Sequence, residues 1–175
     1  MTIRKFEDYS PDVAESAYVD ESAVVTGDVT LGADSSIWPM ASLRGDINSI
    51  RVGARSNIQD GSVLHVTHDS EYAPGGLPLV VGDDVTVGHN AVLHACIIED
   101  ECLIGMGAIV LDGAVVQRGA MVGAGSLVPP GKVLEGGYLW LGSPVKRVRE
   151  LSQKEQAYFK YSAQHYVELK ERHRS

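Results

Sequence analysis

The sequence predicts an all-β solenoid of six-residue rungs followed by a C-terminal helix, and two observations carry that prediction: the spacing of its apolar residues and the smallness of its side chains. From Val13 an apolar residue returns every sixth position through Val19, Val25, Leu31, Ile37 and Leu43. The series resumes at Val52, Ile58 and Leu64 and again at Val81, Val87 and Leu93. It then runs from Ile98 through Ile104, Val110, Val116, Val122 and Val128 to Leu134, nineteen hexads in all. Four residues after nearly every lead stands a small or branched residue: Ala17, Ala23, Val29, Ser35, Ala41, Ser56, Ser62, Val85, Ala91, Cys102, Ala108, Ala114, Ala120 and Ser126. Inward positions at i and i+4 on a period of six fit neither the 3.6 of an amphipathic helix nor strict strand alternation. They fit three short rungs per triangular coil, about six coils in total. With 19 Gly but only two Phe and two Trp among 175 residues, the core has to be filled by small, branched side chains.

The register breaks in three places, where loops are expected to leave the scaffold. Three residues are added between Leu43 and Val52, and eleven between Leu64 and Val81, where the stretch from Ser70 to Pro78 is rich in turn formers. One residue is missing between Leu93 and Ile98. Pro144 is expected to close the solenoid, giving a β-helix over 1–147 and a helical segment over 148–175 that packs back on it as one domain. Ser152 to Glu155 reads as a capping box, and Tyr158, Tyr161, Ser162, His165, Tyr166 and Leu169 follow helical spacing. His165 and His173 read as ordinary helix-face residues.

A net charge of −8 and a pI near 5.1 oppose the basic footprint selected by nucleic acid or anionic lipid. No stretch approaches the roughly 20 apolar residues of a membrane span, and the first residues lack the apolar core of a signal peptide. The expectation is a cytoplasmic protein with no nucleic-acid or membrane partner. Cys96 and Cys102 form neither a C-x-x-C pair nor a disulfide framework.

The register also places the histidines. Residues three hexads apart stack on one face about 4.8 Å apart, so Leu43, Leu64 and Leu93 share a face, and Arg44, His65 and His94 form an outward column beside them. Two imidazoles so stacked can converge on one metal ion. His89, third in the Val87 hexad, stacks over Asp60 on the preceding face and points away from that pair. A third ligand for the same ion then has to come from a neighbouring molecule, which makes a closed ring with one site per interface, most simply a homotrimer, the natural assembly. A lone outward histidine is normally a surface residue; two in register with a third one hexad away point to a metal site.

Arg44-Gly45-Asp46, Asn57-Ile58-Gln59-Asp60-Gly61 with Leu64-His65, and Val87-Gly88-His89-Asn90-Ala91-Val92-Leu93-His94 resemble the gamma-class carbonic anhydrases and their bacterial relatives, over nearly the whole chain. The resemblance implies a left-handed parallel β-helix of hexapeptide repeats. It implies that His65 and His94 of one subunit, with His89 of the next, hold a divalent metal, zinc first and Fe(2+) or Co(2+) as alternatives. It further implies that water on this three-histidine site ionises near neutral pH to a hydroxide that attacks CO2, giving bicarbonate. Gln59 would hydrogen-bond that water or the product, Arg44 and Asp60 would form an intersubunit ion pair with Asp46 as companion acid, and Asn57 would orient the site.

The pattern departs from the family prototype at two positions. An acid is expected after the Arg44-Gly45-Asp46 motif, where Ile47 stands, and a proton-shuttling acid three residues after His65, where His68 stands. The prototype's acidic loop is absent, although the long insert carries Asp69, Glu71 and Tyr72. An imidazole is suited to proton transfer, so His68 is the candidate shuttle. Two other readings stay open: an acyltransferase or thioesterase acting on a CoA substrate with one histidine as base, and a non-catalytic metal-stabilised trimer.

Overall fold

Each lead residue of the repeat lies in register with the lead of the next coil in the computed structural model, which describes residues 2–174. On the first face Val25 pairs with Leu43, then Leu64, Leu93, Val110 and Val128. The second runs from Val13 through Leu31, Val52, Val81, Ile98 and Val116 to Leu134. The third carries Val19, Ile37, Ile58, Val87, Ile104 and Val122, and continues one rung past the expected end to Trp140. Pairing along all three faces is parallel. The leads from Val25 onward are buried, as are the small residues four positions later from Ala23 onward, so both point into one core. Burying each lead side chain contributes about 1.5–3 kcal/mol. At the corners, serines bond from coil to coil: Ser56 Oγ donates to Gly82 O at 2.6 Å and accepts from the Val85 amide at 2.9 Å.

Each break in the repeat becomes a local device. The three added residues make a bulge in strand Ser42–Val52, which runs round a corner beside Val24–Leu31. There a Cβ on Gly27, whose φ is +82°, would lie 2.2 Å from Gly45 O, and one on Gly45 would lie 2.5 Å from Asp28 O. The two backbones cross where only glycine fits. The eleven-residue insert leaves as a loop whose base is closed by antiparallel pairing of Thr67 with Leu77. The missing residue puts Ala95 in the left-handed region at φ +47°, and the Gly113 amide of the next coil bonds Ala95 O at 2.7 Å.

The C-terminal boundary differs from the expected one. Pro144 lies in the turn of an antiparallel hairpin, Tyr138–Gly142 with Val145–Glu150, so residues 148–150 are strand rather than helix. The helix, Gln153–Arg174, begins only where Ser152 can cap it. Ser152 Oγ accepts from the Glu155 amide at 3.3 Å, while the Glu155 carboxylate accepts from the Ser152 amide at 2.9 Å and from Arg149 at 2.8 Å. It lies across the third face, with Phe159, Ser162 and Ala163 buried. Trp38, next to lead Ile37, receives the rings of Tyr166 and His173 edge-on at 5.4 and 5.1 Å. His173 is exposed on the helix, as expected, and one edge of its ring rests on Trp38. Met1 and Ser175, the outer bounds of the two expected segments, lie outside the described residues. Among the described residues no helix is long and apolar enough to cross a membrane.

Candidate metal centre

Strand register delivers the expected column: Thr26 pairs with Arg44, Arg44 with His65, and His65 with His94. The side chains extend it into one line of close polar contacts. Arg44 donates to Asp46 Oδ2 at 2.5 Å, and Asp46 Oδ1 lies 3.1 Å from His65 Nε2. His65 Nδ1 lies 3.1 Å from His94 Nε2, and His94 Nδ1 lies 2.7 Å from Asp112 Oδ1. Asp112 Oδ2 in turn accepts from Thr67 Oγ1 at 2.5 Å. The bulge after Leu43 brings Asp46 back against His65, so the break in the repeat is what supplies this ring with its carboxylate.

Electrostatics suit the pair to a cation. Burial pushes His65 below the usual histidine range, with Arg44 and His94 adding to the effect against the pull of Asp46, which favours the neutral ring that ligates metals. Burial also opposes charge on Asp46 and Asp112. Hydrogen bonds outweigh it in both, from Arg44 and His65 to Asp46 and from Thr67 and His94 to Asp112, and hold both carboxyls below their ordinary range. A neutral imidazole carries one N–H, and each carboxylate claims it on the outer nitrogen. The two inner nitrogens then face each other across 3.1 Å. Two nitrogens on one tetrahedral ion at 2.0–2.1 Å stand about 3.3 Å apart, so the donor pair fits a zinc-like ion with little adjustment.

The other predicted residues gather elsewhere, where the third face meets the helix. His89 Nδ1 lies 2.8 Å from Asp60 Oδ2 and both side chains are nearly half exposed. Beneath them runs a buried polar chain: Ser162 Oγ and Thr86 Oγ1 are 2.9 Å apart, Asn57 Nδ2 donates to Thr86 Oγ1 at 3.0 Å, and Gln59 Nε2 donates to Asn57 Oδ1 at 3.0 Å. Asn57 Nδ2 also faces Val85 O at 3.4 Å, which can only accept, so the Asn57 oxygen accepts from Gln59 and that assigns the Gln59 amide too. The chain lines a groove of about 370 Å³ bordered by Gln59, His89, Leu103, Met106, Tyr158 and Tyr166. Tyr161 stays exposed outside it.

Within one chain the nine predicted residues thus form two clusters, His65–His94–Arg44–Asp46 and His89–Asp60–Gln59–Asn57, with His68 exposed at the mouth of the insert. Within the chain, Arg44 is bonded to Asp46. Among the described residues, no three His, Cys, Asp or Glu side chains come together as a metal site. Ile47, in the place of the expected acid, is 43% exposed and lines a polar hollow of about 380 Å³ with Tyr9, Asp28 and Asp69. Sequence reading missed Asp112 and Thr67. The one available signal was the missing residue after Leu93, which marks an irregular corner beside His94 and lets Asp112 reach that ring from the next coil.

Stacked hexads with paired, carboxylate-backed histidines define the class: a hexapeptide-repeat protein with a candidate metal centre. Residues 95–129 match the family model described as the hexapeptide repeat of succinyl-transferase. The chain is 53% identical over 169 residues to protein YrdA of Escherichia coli, covering 97% of this chain and 92% of that one. It is 49% identical to the mitochondrial gamma carbonic anhydrase 3 of Arabidopsis thaliana, covering 98% and 66%, and 47% identical to a probable carbonic anhydrase of Methanocaldococcus jannaschii, covering 91% and 96%. The chain belongs to the gamma-class carbonic anhydrase family. A solved structure of a hexapeptide transferase family protein from Anaplasma phagocytophilum superposes with a TM-score of 0.90 at 37% identity, covering 97% of this chain and 96% of that one.

Proposed function

We propose that this protein is a metal-dependent lyase interconverting CO2 and bicarbonate, assembled as a homotrimer in which His65 and His94 of one subunit and His89 of the next hold a divalent ion, zinc in the first instance. The observation that carries this reading is the 3.1 Å approach of His65 Nδ1 and His94 Nε2, each ring held from behind by a carboxylate. A divalent ion held there supplies Lewis acidity and lowers the pKa of a bound water to about 7. Asp60 engages His89 Nδ1 and leaves Nε2 as that ring's ligating atom. Gln59, its nitrogen committed to Asn57, keeps its carbonyl oxygen as a hydrogen-bond acceptor for the reacting oxygens. Arg44 and Asp60, both about half exposed, are the charges we assign to an ion pair between subunits. His68 is the group we assign to proton transfer. Buried free thiols at Cys96 and Cys102 agree with a cytoplasmic location.

A second reading is favoured by the transferase-family structure that superposes on this chain: acyl transfer or hydrolysis on a CoA substrate, with one histidine as base. Such a base needs neither a paired histidine nor two supporting carboxylates. One set of measurements decides among these and a purely structural metal site: metal content per chain and solution mass, for the wild type and His89→Ala, then CO2 hydration on the same samples. One metal per trimeric subunit, lost in the variant, with hydration that disappears on chelation is the expected result. Metal without hydration overturns the lyase and leaves the structural role. Absence of metal with CoA-dependent turnover establishes the transferase.

A further inference from the structure

We infer that Asp112 and Thr67 form a positioning pair that fixes the ring and tautomer of His94, so that the base of the long insert sets which nitrogen His94 presents at the candidate metal centre. The pairing spans two coils and forty-five residues of sequence. Asp112 Oδ1 takes His94 Nδ1 at 2.7 Å, and its other oxygen takes the Thr67 hydroxyl at 2.5 Å. An ionised carboxylate only accepts, so the proton between it and the ring belongs to Nδ1, and Nε2 is left facing His65 with its lone pair. Rotation of the Asp112 carboxylate is limited further when its second oxygen is also held. That is the part Thr67 plays.

Thr67 is itself held on both sides. Its amide donates to Leu77 O at 3.0 Å, the Leu77 amide donates back to Thr67 O at 2.9 Å, and the same carbonyl accepts from Asn48 Nδ2 at 3.2 Å. The side chain thus stands on a short antiparallel bridge anchored to the bulge. The arrangement mirrors the one at His65, where Arg44 holds Asp46 and Asp46 holds the ring. The two halves differ in charge: Arg44 neutralises its carboxylate, whereas the Thr67 hydroxyl leaves the full charge of Asp112 on His94. A carboxylate behind a ligating imidazole orients the ring and raises its basicity, and removing such a partner typically costs 10–100-fold in metal affinity.

The inference rests on the metal-site reading for its effect on affinity, but not for its effect on the tautomer, and the test uses both. Zinc affinity by chelator competition and His94 ring nitrogens by long-range proton–nitrogen NMR are measured on the full-length protein, wild type and variants, with and without zinc. Asp112→Ala is expected to weaken zinc by about 10–100-fold and to release His94 from the Nδ1–H form. Thr67→Val, which keeps the shape and removes the donor, weakens zinc less, and Thr67→Ser restores the wild-type value. Wild-type zinc affinity in Asp112→Ala, or a His94 tautomer that is Nε2–H in the wild type or unchanged in the variant, overturns the inference. If the wild type binds no zinc, the metal reading fails while the tautomer comparison still decides the role of the pair. Asp112→Asn, which conserves size, covers the case in which the alanine variant does not fold.

Discussion

His65 and His94 pair directly in neighbouring parallel strands, and their rings, with centroids 5.1 Å apart, bring Nδ1 of one to 3.1 Å from Nε2 of the other. Parallel pairing at this register is what brings two residues twenty-nine positions apart ring to ring. Side chains leaving adjacent rungs in the same direction converge without any loop having to fold over them.

Gln59 is held by Asn57, which is held by Thr86 and through it by the helix at Ser162. None of the three histidines depends on that chain for a hydrogen bond. Gln59→Ala is therefore expected to retain its metal while losing about 10-fold or more in CO2 hydration, the scale of a lost, preoriented hydrogen bond at a reacting oxygen. Metal analysis and stopped-flow hydration on the same preparation check this; unchanged turnover removes Gln59 from the chemistry.

His68 stands three residues after His65 and is exposed, with no hydrogen bond or ion pair tying it to the described residues. If it carries protons out of the site, His68→Ala lowers turnover in weak buffer and imidazole added to the solution restores it, with substrate affinity unchanged. Turnover independent of both the substitution and the buffer places proton exit elsewhere.

Leu64 and Leu93 are fully buried lead residues, each followed by a ligand candidate. Shortening Leu93 to alanine leaves a void in a core of close-packed small side chains and is expected to cost about 2–5 kcal/mol. Urea unfolding of Leu93→Ala measures it. A cost below about 1 kcal/mol would mean that the coil closes over the gap.

Burial pushes both thiols, Cys96 and Cys102, up to about 12. The nucleophile is the thiolate, so the folded protein is expected to be inert to thiol reagents at pH 8 and to react fully once unfolded. The same shift sets a pH dependence. Below the ordinary thiol pKa of 9.0 both folded and unfolded chains keep the proton. Above it the unfolded chain ionises while the folded chain holds its proton up to about 12, so stability falls as pH rises through that window. Urea midpoints from pH 8 to 11 test this, and a Cys96→Ala, Cys102→Ala double variant should show a shallower decline.

The hexad repeat alone specifies the three faces, the leads that fill the core, and the stacking of Arg44, His65 and His94, because in a solenoid sequence distance converts to spatial position by counting. The three breaks in register were legible as well, and so was the capping box at Ser152. What the counting rule cannot reach is whatever the breaks do once folded. Where residues are added or missing, the position of a side chain depends on how the backbone crosses at Gly27 and Gly45, how the insert closes at Thr67 and Leu77, and how the corner turns at Ala95. Those local geometries decide that Asp46 returns to His65, that Asp112 reaches His94, and that Tyr166 rather than Tyr161 borders the groove. The histidine pair is periodic and could be read from the chain. Its supporting carboxylates are aperiodic, and only the packed coils bring them into contact.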